Sequence, residues 1–440
     1  MFGSTSPPTD IPCYSESIAM PVFSPASAFA RVTALAAQTP VHAAFAWLHA
    51  NPKTIMDWQM ELVAIPAPPY GEQARAEWLA ARFAEAGLSD VETDAAGNVL
   101  GILPAVRRSG PPENTGPMVL LSAHLDTVFP AGTPLHPAIE GERLQAPGAC
   151  DNGAGVAGML AVIHSLLHAE VKLPAQLALL GNVGEEGEGD LRGVRHFYEQ
   201  SALAGRVAAH IVLDGAGADA AVTQALGSWR YLVTVSGPGG HSFTDAGTPN
   251  PIAALASALA RLAETPLPQG PRTTLNLGTI RGGISVNSIP ESAQATVDFR
   301  STDREQLARL EAELESAIAD AVARCNAKAK PAGAASRGAL SFTISRIGDR
   351  PAANLAEDSP LLATLRAVDR HLGLRTDLRL GSTDANIPLS LGVSALAMGA
   401  GGEGGAAHTL HEWYSPKDRE LGLKRVLLLT LAMLEWAAEQ

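Results

Sequence analysis

Histidine and carboxylate residues gather at four places in this chain where short apolar runs end. His124 and Asp126 follow Met118–Ala123 as His-Leu-Asp, and Asp151 closes a Gly-containing loop ahead of a helical pattern. Glu185 and Glu186 follow Leu177–Leu180 within Gly-Glu-Glu-Gly, and Asp214 ends Ile211–Leu213 as Leu-Asp-Gly. Imidazole nitrogen with carboxylate oxygen, and no thiolate, suits zinc and less exclusively manganese or cobalt. One carboxylate can bridge two such ions. Two ions a few ångströms apart can share a water, lower its pKa and polarise a carbonyl. A further carboxylate beside them can take the water's proton and deliver it to a leaving nitrogen. Adjacent glutamates suit that division of labour. Buried together, Glu185, Glu186, Asp151 and Asp214 would repel one another unless a cation held them. Each residue alone also has a plainer role. Asp151 could cap a helix, Asp214 could make an ordinary turn, the Glu pair could be a solvated loop, and His124 a surface residue. The ordered set carries the metal reading.

The elements that must position these residues follow from apolar periodicity. Residues 71–87 read as an amphipathic helix ending at Gly87, and Val156–His168 as a second helix. Met118–Ala123, Leu177–Leu180 and Ile211–Leu213 read as buried strands. Strands separated by helices predict an α/β fold, a mostly parallel sheet with helices on both faces. In such sheets ligands bind at the carboxyl ends of the strands, where these residues fall. The pattern then changes. Arg230–Ser236, Thr273–Ile280, Ala293–Arg300 and Leu340–Ser345 read as strands, with helices over Pro251–Ala263 and Asp303–Ala327. That order is βαββαβ, a ferredoxin-like α+β unit. The expected organisation is a catalytic domain over 41–226 and 347–440, interrupted by an inserted domain over 227–346. Residues 1–40, rich in Ser, Pro and Ala, read as a loose extension.

Composition bounds the alternatives. A chain of 440 residues allows two or three domains at roughly 100–200 residues each. Hydrophobic residues are 46% and charged residues 18%, a globular balance. The net charge of −13 argues against nucleic acid or an anionic membrane as partner. No apolar run approaches the ~18 residues of a membrane span, and no signal-peptide pattern opens the chain. Cys13, Cys150 and Cys325 are widely spaced without a CxxC, so reduced thiols in a cytoplasm are the simplest reading. Gly153-Ala-Gly155-Val-Ala-Gly158 fits GxGxxG, but no apolar strand precedes it and no ribose-binding acid follows at a strand end. Those glycines read as close packing behind Asp151. No GxSxG, HExxH or P-loop lysine motif is present.

His124-Leu-Asp126-Thr-Val128, Gly148-Ala-Cys-Asp151-Asn, Gly184-Glu185-Glu186-Gly, Leu213-Asp214-Gly215 and a late His408 together resemble the motif series of the zinc-dependent aminoacylase, acetylornithine deacetylase, carboxypeptidase and di/tripeptidase superfamily. The resemblance runs from about residue 54 to 440. It implies two zinc ions: His124 and Asp214 on one, Glu186 and His408 on the other, with Asp151 bridging. It implies that Asp126 orients His124 and that Glu185 is the general base and then the acid. His411 competes with His408, but the family pattern of His followed four residues later by Glu favours His408 with Glu412. The inserted domain resembles the family's lid and dimerisation domain, which implies a homodimer. There His241, in Gly237-Pro-Gly-Gly-His241-Ser, would reach the partner's site and stabilise an oxyanion. Asn287 and Arg300 match substrate-contacting positions, and a guanidinium suits a substrate carboxylate. Asn152 and Gly153 depart from the family, many of whose members carry a basic residue there. A small peptide is the first substrate expectation and an N-acyl amino acid the second. A non-catalytic metal- or peptide-binding protein is a remote alternative.

Overall fold

A computed structural model describes residues 24–106, 115–330 and 338–440. Two strands, Met118–His124 and Gln176–Asn182, are buried along their whole length. A strand covered on both faces must be apolar at every position, and these nearly are. They lie at the middle of a nine-stranded sheet. Its central order is Gln176–Asn182, Met118–His124, Val207–Leu213 and Ser394–Met398, all parallel. Antiparallel strands flank this block, Val99–Leu103 on one side and Ala220–Ala225 on the other. Alternate residues of one strand feed two cores. Val119, Leu121 and Ala123 pack with the helices Pro25–Ala36, Gly153–His168 and Arg419–Ala437, whereas Met118 and Leu120 pack towards Phe197 of Arg192–Gln200. The helix over 73–86 ends, as its sequence predicts, on Gly87 in a left-handed cap (φ 82°).

The inserted domain is a four-stranded antiparallel sheet in the order Thr273–Gly282, Ser292–Ser301, Gly227–Ser236, Ser341–Arg350. The helices Pro251–Ala263 and Arg304–Lys328 complete the βαββαβ order. Trp229, Tyr231, Val233 and Val235 face these helices in a core of their own. The alternate residues Ser228 and Arg230 therefore lie on the open face. Ser228 is in register with Arg300 on one neighbour and Arg350 on the other.

Two boundaries differ from the sequence expectation. The expected end of the insertion at 346 falls inside the strand Ser341–Arg350, because Arg346, Gly348 and Arg350 continue the pairing through a bulge. The expected loose extension is not loose from residue 24 onward. Ser24 caps a helix that starts at Pro25 and buries Ala28, Val32, Leu35 and Ala36, a helical spacing of apolar residues. A second helix, Thr39–Ala50, follows. Residues 1–23 lie outside the described residues. Among the described residues, no helix is long and apolar enough to cross a membrane, and Cys150 and Cys325 are unpaired.

A third, small antiparallel sheet was not expected. It joins Glu403–Gly405, Trp413–Ser415, Arg143–Gln145 and Ala138–Glu140. It brings the loop of Asp151 beside the hairpin loop that holds His408.

Candidate metal centre

His124 ends its strand fully buried. Its Nδ1 lies 3.1 Å from the Asp126 carbonyl oxygen, which turns Nε2 towards Asp151 Oδ1 at 3.0 Å and Asp214 Oδ1 at 4.0 Å. The second oxygen of Asp151 lies 3.0 Å from His408 Nε2, and Glu186 Oε1 stands 3.0 Å from the same nitrogen. Asp151 therefore gives one oxygen to each of two imidazoles. The sets His124, Asp151, Asp214 and Asp151, Glu186, His408 each have ligand atoms within 4.8 Å of one another, as does the set His124, Glu185, Glu186. Nitrogen and hard oxygen donors in two groups that share a carboxylate fit a pair of zinc-like cations.

The supports explain why the sequence folds this way. Asp126 Oδ1 and Oδ2 accept the backbone amides of Glu185 (2.9 Å) and Glu186 (2.7 Å), so one carboxylate fixes the glutamate loop beside the histidine. Glu412 does the same for the Asp151 loop, accepting the amides of Gly148, Cys150 and Asp151 at 2.7–2.9 Å. The motif spacing pairs Glu412 with His408, but its oxygens are spent on these three amides. Asn152 caps the helix through Gly155 N and also joins Leu213 O and Gly215 N, tying the Asp214 turn to Asp151. The glycines of the GxGxxG run pack closely, as expected. A Cβ at Gly155 would lie 2.1 Å from Asn152 Oδ1, and one at Gly158 would lie 2.5 Å from the Ala400 Cβ. His408 holds a left-handed backbone (φ 65°), which L-residues rarely adopt.

The charges are unbalanced. Burial, then repulsion from Glu185 and Asp151, pushes the Glu186 carboxyl up to about 8. Burial and Asp151 push Asp214 to about 7, and burial with Glu185 pushes Asp384 to about 8. The Asp151 hydrogen bond raises His408 to about 9. Burial opposes charge on His124, yet its contacts with Asp126 and Asp151 outweigh it and raise that imidazole too. Asp126 and Asp151 are held below the usual carboxylate range, where the same histidine contacts overcome burial. Every raised group binds its proton more tightly folded than unfolded. The metal-free folded state thus holds the extra protons, and its stability falls as pH rises through these values. The two depressed carboxylates act in the opposite sense, only at acid pH. We expect the Tm of chelator-treated protein to fall steadily from about pH 5 to about pH 9. The metal-loaded form, with its ligands held deprotonated, should fall less. Equal slopes with and without metal would place the ions elsewhere.

The residues expected in the inserted domain are not part of this cluster. His241 is exposed; its Nδ1 accepts the amides of Phe243 (3.2 Å) and Thr244 (3.4 Å). Asn287 is exposed on the neighbouring loop, its backbone carbonyl oxygen accepting Ser242 N at 3.0 Å. Arg300 pairs through Nε with Asp298 at 2.8 Å. His411 is exposed and absent from the cluster. Two buried cations beside the centre were not foreseen. Arg75 bonds the carbonyls of Ile65 and Leu125, next to Asp126 and Glu412. Arg350 bonds Glu185. Only its place, before Pro351 at the end of a strand leaving the insertion, marks Arg350 in the sequence.

A family model for peptidase family M20/M25/M40 matches residues 120–432. A probable carboxypeptidase of Aspergillus clavatus is 31% identical over 271 residues, covering 57% of this chain and 58% of that protein. The cytosol non-specific dipeptidase of Escherichia coli is 32% identical over 155 residues, 32% of this chain and 31% of that one. The matched stretch thus spans little more than half, or less, of these curated relatives. Among solved structures, a Staphylococcus aureus tripeptidase superposes with a TM-score of 0.68 at 21% identity, covering 89% of this chain and 99% of that one. A Bacillus subtilis protein described as a dinuclear metal binding peptidase superposes at 0.61 with 14% identity, covering 88% and 99%. The family match takes in every strand end of the centre and also His408, and on that ground the chain belongs to peptidase family M20/M25/M40.

Proposed function

We propose that the protein is a homodimeric di-zinc hydrolase that cleaves an amide bond of a small peptide. The observation that carries this reading is Asp151, with one oxygen 3.0 Å from His124 and the other 3.0 Å from His408. His124 and Asp214 would hold one ion, Glu186 and His408 the other, and Asp151 both; cobalt or manganese would also suit these donors. When bound, the ions supply a water of lowered pKa and polarise the substrate carbonyl. Glu185 takes the proton of the attacking water and passes it to the leaving nitrogen. Asp126 orients His124 from behind. The Nδ1 of His241 is occupied as an acceptor, which leaves Nε2–H as a donor. We read His241 of the partner subunit as the group that stabilises the oxyanion. Asn287 and Arg300 contact the substrate. Arg300 spends only Nε on Asp298, which leaves its outer nitrogens for a carboxylate.

The dimer reading is supported by the strand Thr273–Gly282, outermost in its sheet among the described residues, and by the exposed Ile280, Ile284 and Val286. An unpaired strand edge with apolar neighbours favours a partner. The peptide preference is supported by the names of the Escherichia coli dipeptidase and the Staphylococcus aureus tripeptidase.

The test combines metal analysis with a panel of dipeptides, tripeptides and N-acetyl amino acids, with and without chelator. We expect two ions per chain and peptide hydrolysis that chelation abolishes and zinc restores. Faster turnover of N-acetyl amino acids would redirect the reading to a deacylase. Inactivity on the whole panel with metal bound would overturn it in favour of a binding protein.

A further inference from the structure

Glu185 is gripped from the inserted domain. Arg350, the last residue of the strand Ser341–Arg350, is 5% exposed. Its Nη1 donates to Glu185 Oε1 at 3.0 Å and to Ser382 Oγ at 3.3 Å. Its Nη2 donates to the Glu185 carbonyl oxygen. One planar fork thus holds both the side chain and the main chain of a single residue, a geometry that an ammonium cannot reproduce. Oε1 is occupied, and Oε2 is the oxygen left to exchange a proton.

The grip is anchored where the chain passes between domains. Asp190 Oδ2 accepts Asp349 N at 2.7 Å, and Arg195 donates to Asp349 O. Arg230, on the open face of the inserted sheet, donates to Gly187 O at 2.9 Å. Asn386 Nδ2 donates to Leu226 O and to Pro351 O, each at 2.9 Å, and so joins both crossings. The loop 185–190 is tied at several points to the strand ends of the insertion. A buried ion pair is a costly way to gain stability alone. This one is aimed at a carboxylate outside the two sets that share Asp151.

We propose that Arg350 is a positioning residue for Glu185, fixing the rotamer in which Oε2 meets the attacking water and coupling that rotamer to the seating of the inserted domain. The proposal rests on the reading of Glu185 as the base. Misplacing a catalytic group by about 1 Å can cost about 100-fold. Arg350→Gln is therefore expected to lower kcat about 100-fold on the best peptide of the panel, with KM within about threefold and metal content unchanged. Arg350→Lys, which keeps the buried charge, should recover part of the loss, and millimolar guanidinium should raise kcat of Arg350→Ala. In crystals of Arg350→Gln, with or without metal, the Glu185 carboxylate should leave its native position. In the Glu185→Gln background, Arg350→Gln should cost nothing further.

A KM raised tenfold or more with kcat intact would overturn the proposal and make Arg350 a substrate contact. A Glu185 carboxylate unmoved in the crystal would overturn it as well. If Arg350→Gln does not fold, Arg350→Lys decides, since wild-type kcat in that variant overturns the proposal. Failure of the underlying reading looks different: Glu185→Gln alone would then keep wild-type turnover.

Discussion

Replacing Glu185 by glutamine should lower kcat by about 10³-fold while leaving two metal ions on each chain. Glutamine has the same shape, and its carbonyl oxygen can still accept from Arg350 Nη1, which sits 3.0 Å from Glu185 Oε1 in the native protein. The Glu185 amide stays bound to Asp126 Oδ1. On the proposed reading, what is lost is the ability to take and return a proton, a contribution of about 10²–10⁴ in rate. Because Glu185 belongs to neither of the two sets that share Asp151, the metals should stay. Steady-state kinetics on the best peptide of the panel, with metal analysis of the same preparation, makes the check. Turnover within tenfold of wild type would remove Glu185 from the chemistry. Loss of metal together with activity would make it a ligand.

Replacing Asp151 by alanine should empty both sites, whereas replacing Asp214 by alanine should empty mainly one. Among the described residues, Asp151 alone is common to the sets containing His408 and Asp214. The geometry thus makes the two variants unequal. The activity of the Asp151 variant should fall by more than about 100-fold, the upper range for residues one step removed from a metal. Metal content separates the cases: near zero ions per chain for Asp151→Ala and near one for Asp214→Ala. Equal losses in the two variants would mean that Asp151 does not bridge.

Much of this centre was readable from order alone. His124, Glu185, Glu186 and Asp214 stand at or just beyond strands with continuous apolar runs, and burial on both faces is what makes such runs visible. The inserted domain was visible because its strands alternate and its helices keep a 3.6-residue period. The small sheet that seats Asp151 and His408 was not, because strands such as Arg143–Gln145 and Trp413–Ser415 are three residues long and show no periodicity. The helix Pro25–Ala36 was hidden by its Ala-rich composition, although Ala28, Val32 and Leu35 keep the helical spacing. Arg75, Arg350 and Glu412 act across long sequence separations, on backbone groups and on one another's neighbours. Nothing in their local sequence records those contacts.

The strand Ser394–Met398 lies between Val207–Leu213 and Ala220–Ala225, and His408 follows it, after the whole insertion. On the ribosome, a nascent chain released as far as the inserted domain has an open gap in its main sheet and lacks one imidazole. Domains tend to consolidate as units, N-terminal first. Here the domain that starts before the insertion is completed only after it, and the inserted one can complete itself earlier. On the proposed reading, the metal pair can be held in full only once the segment 394–408 has slotted into that gap.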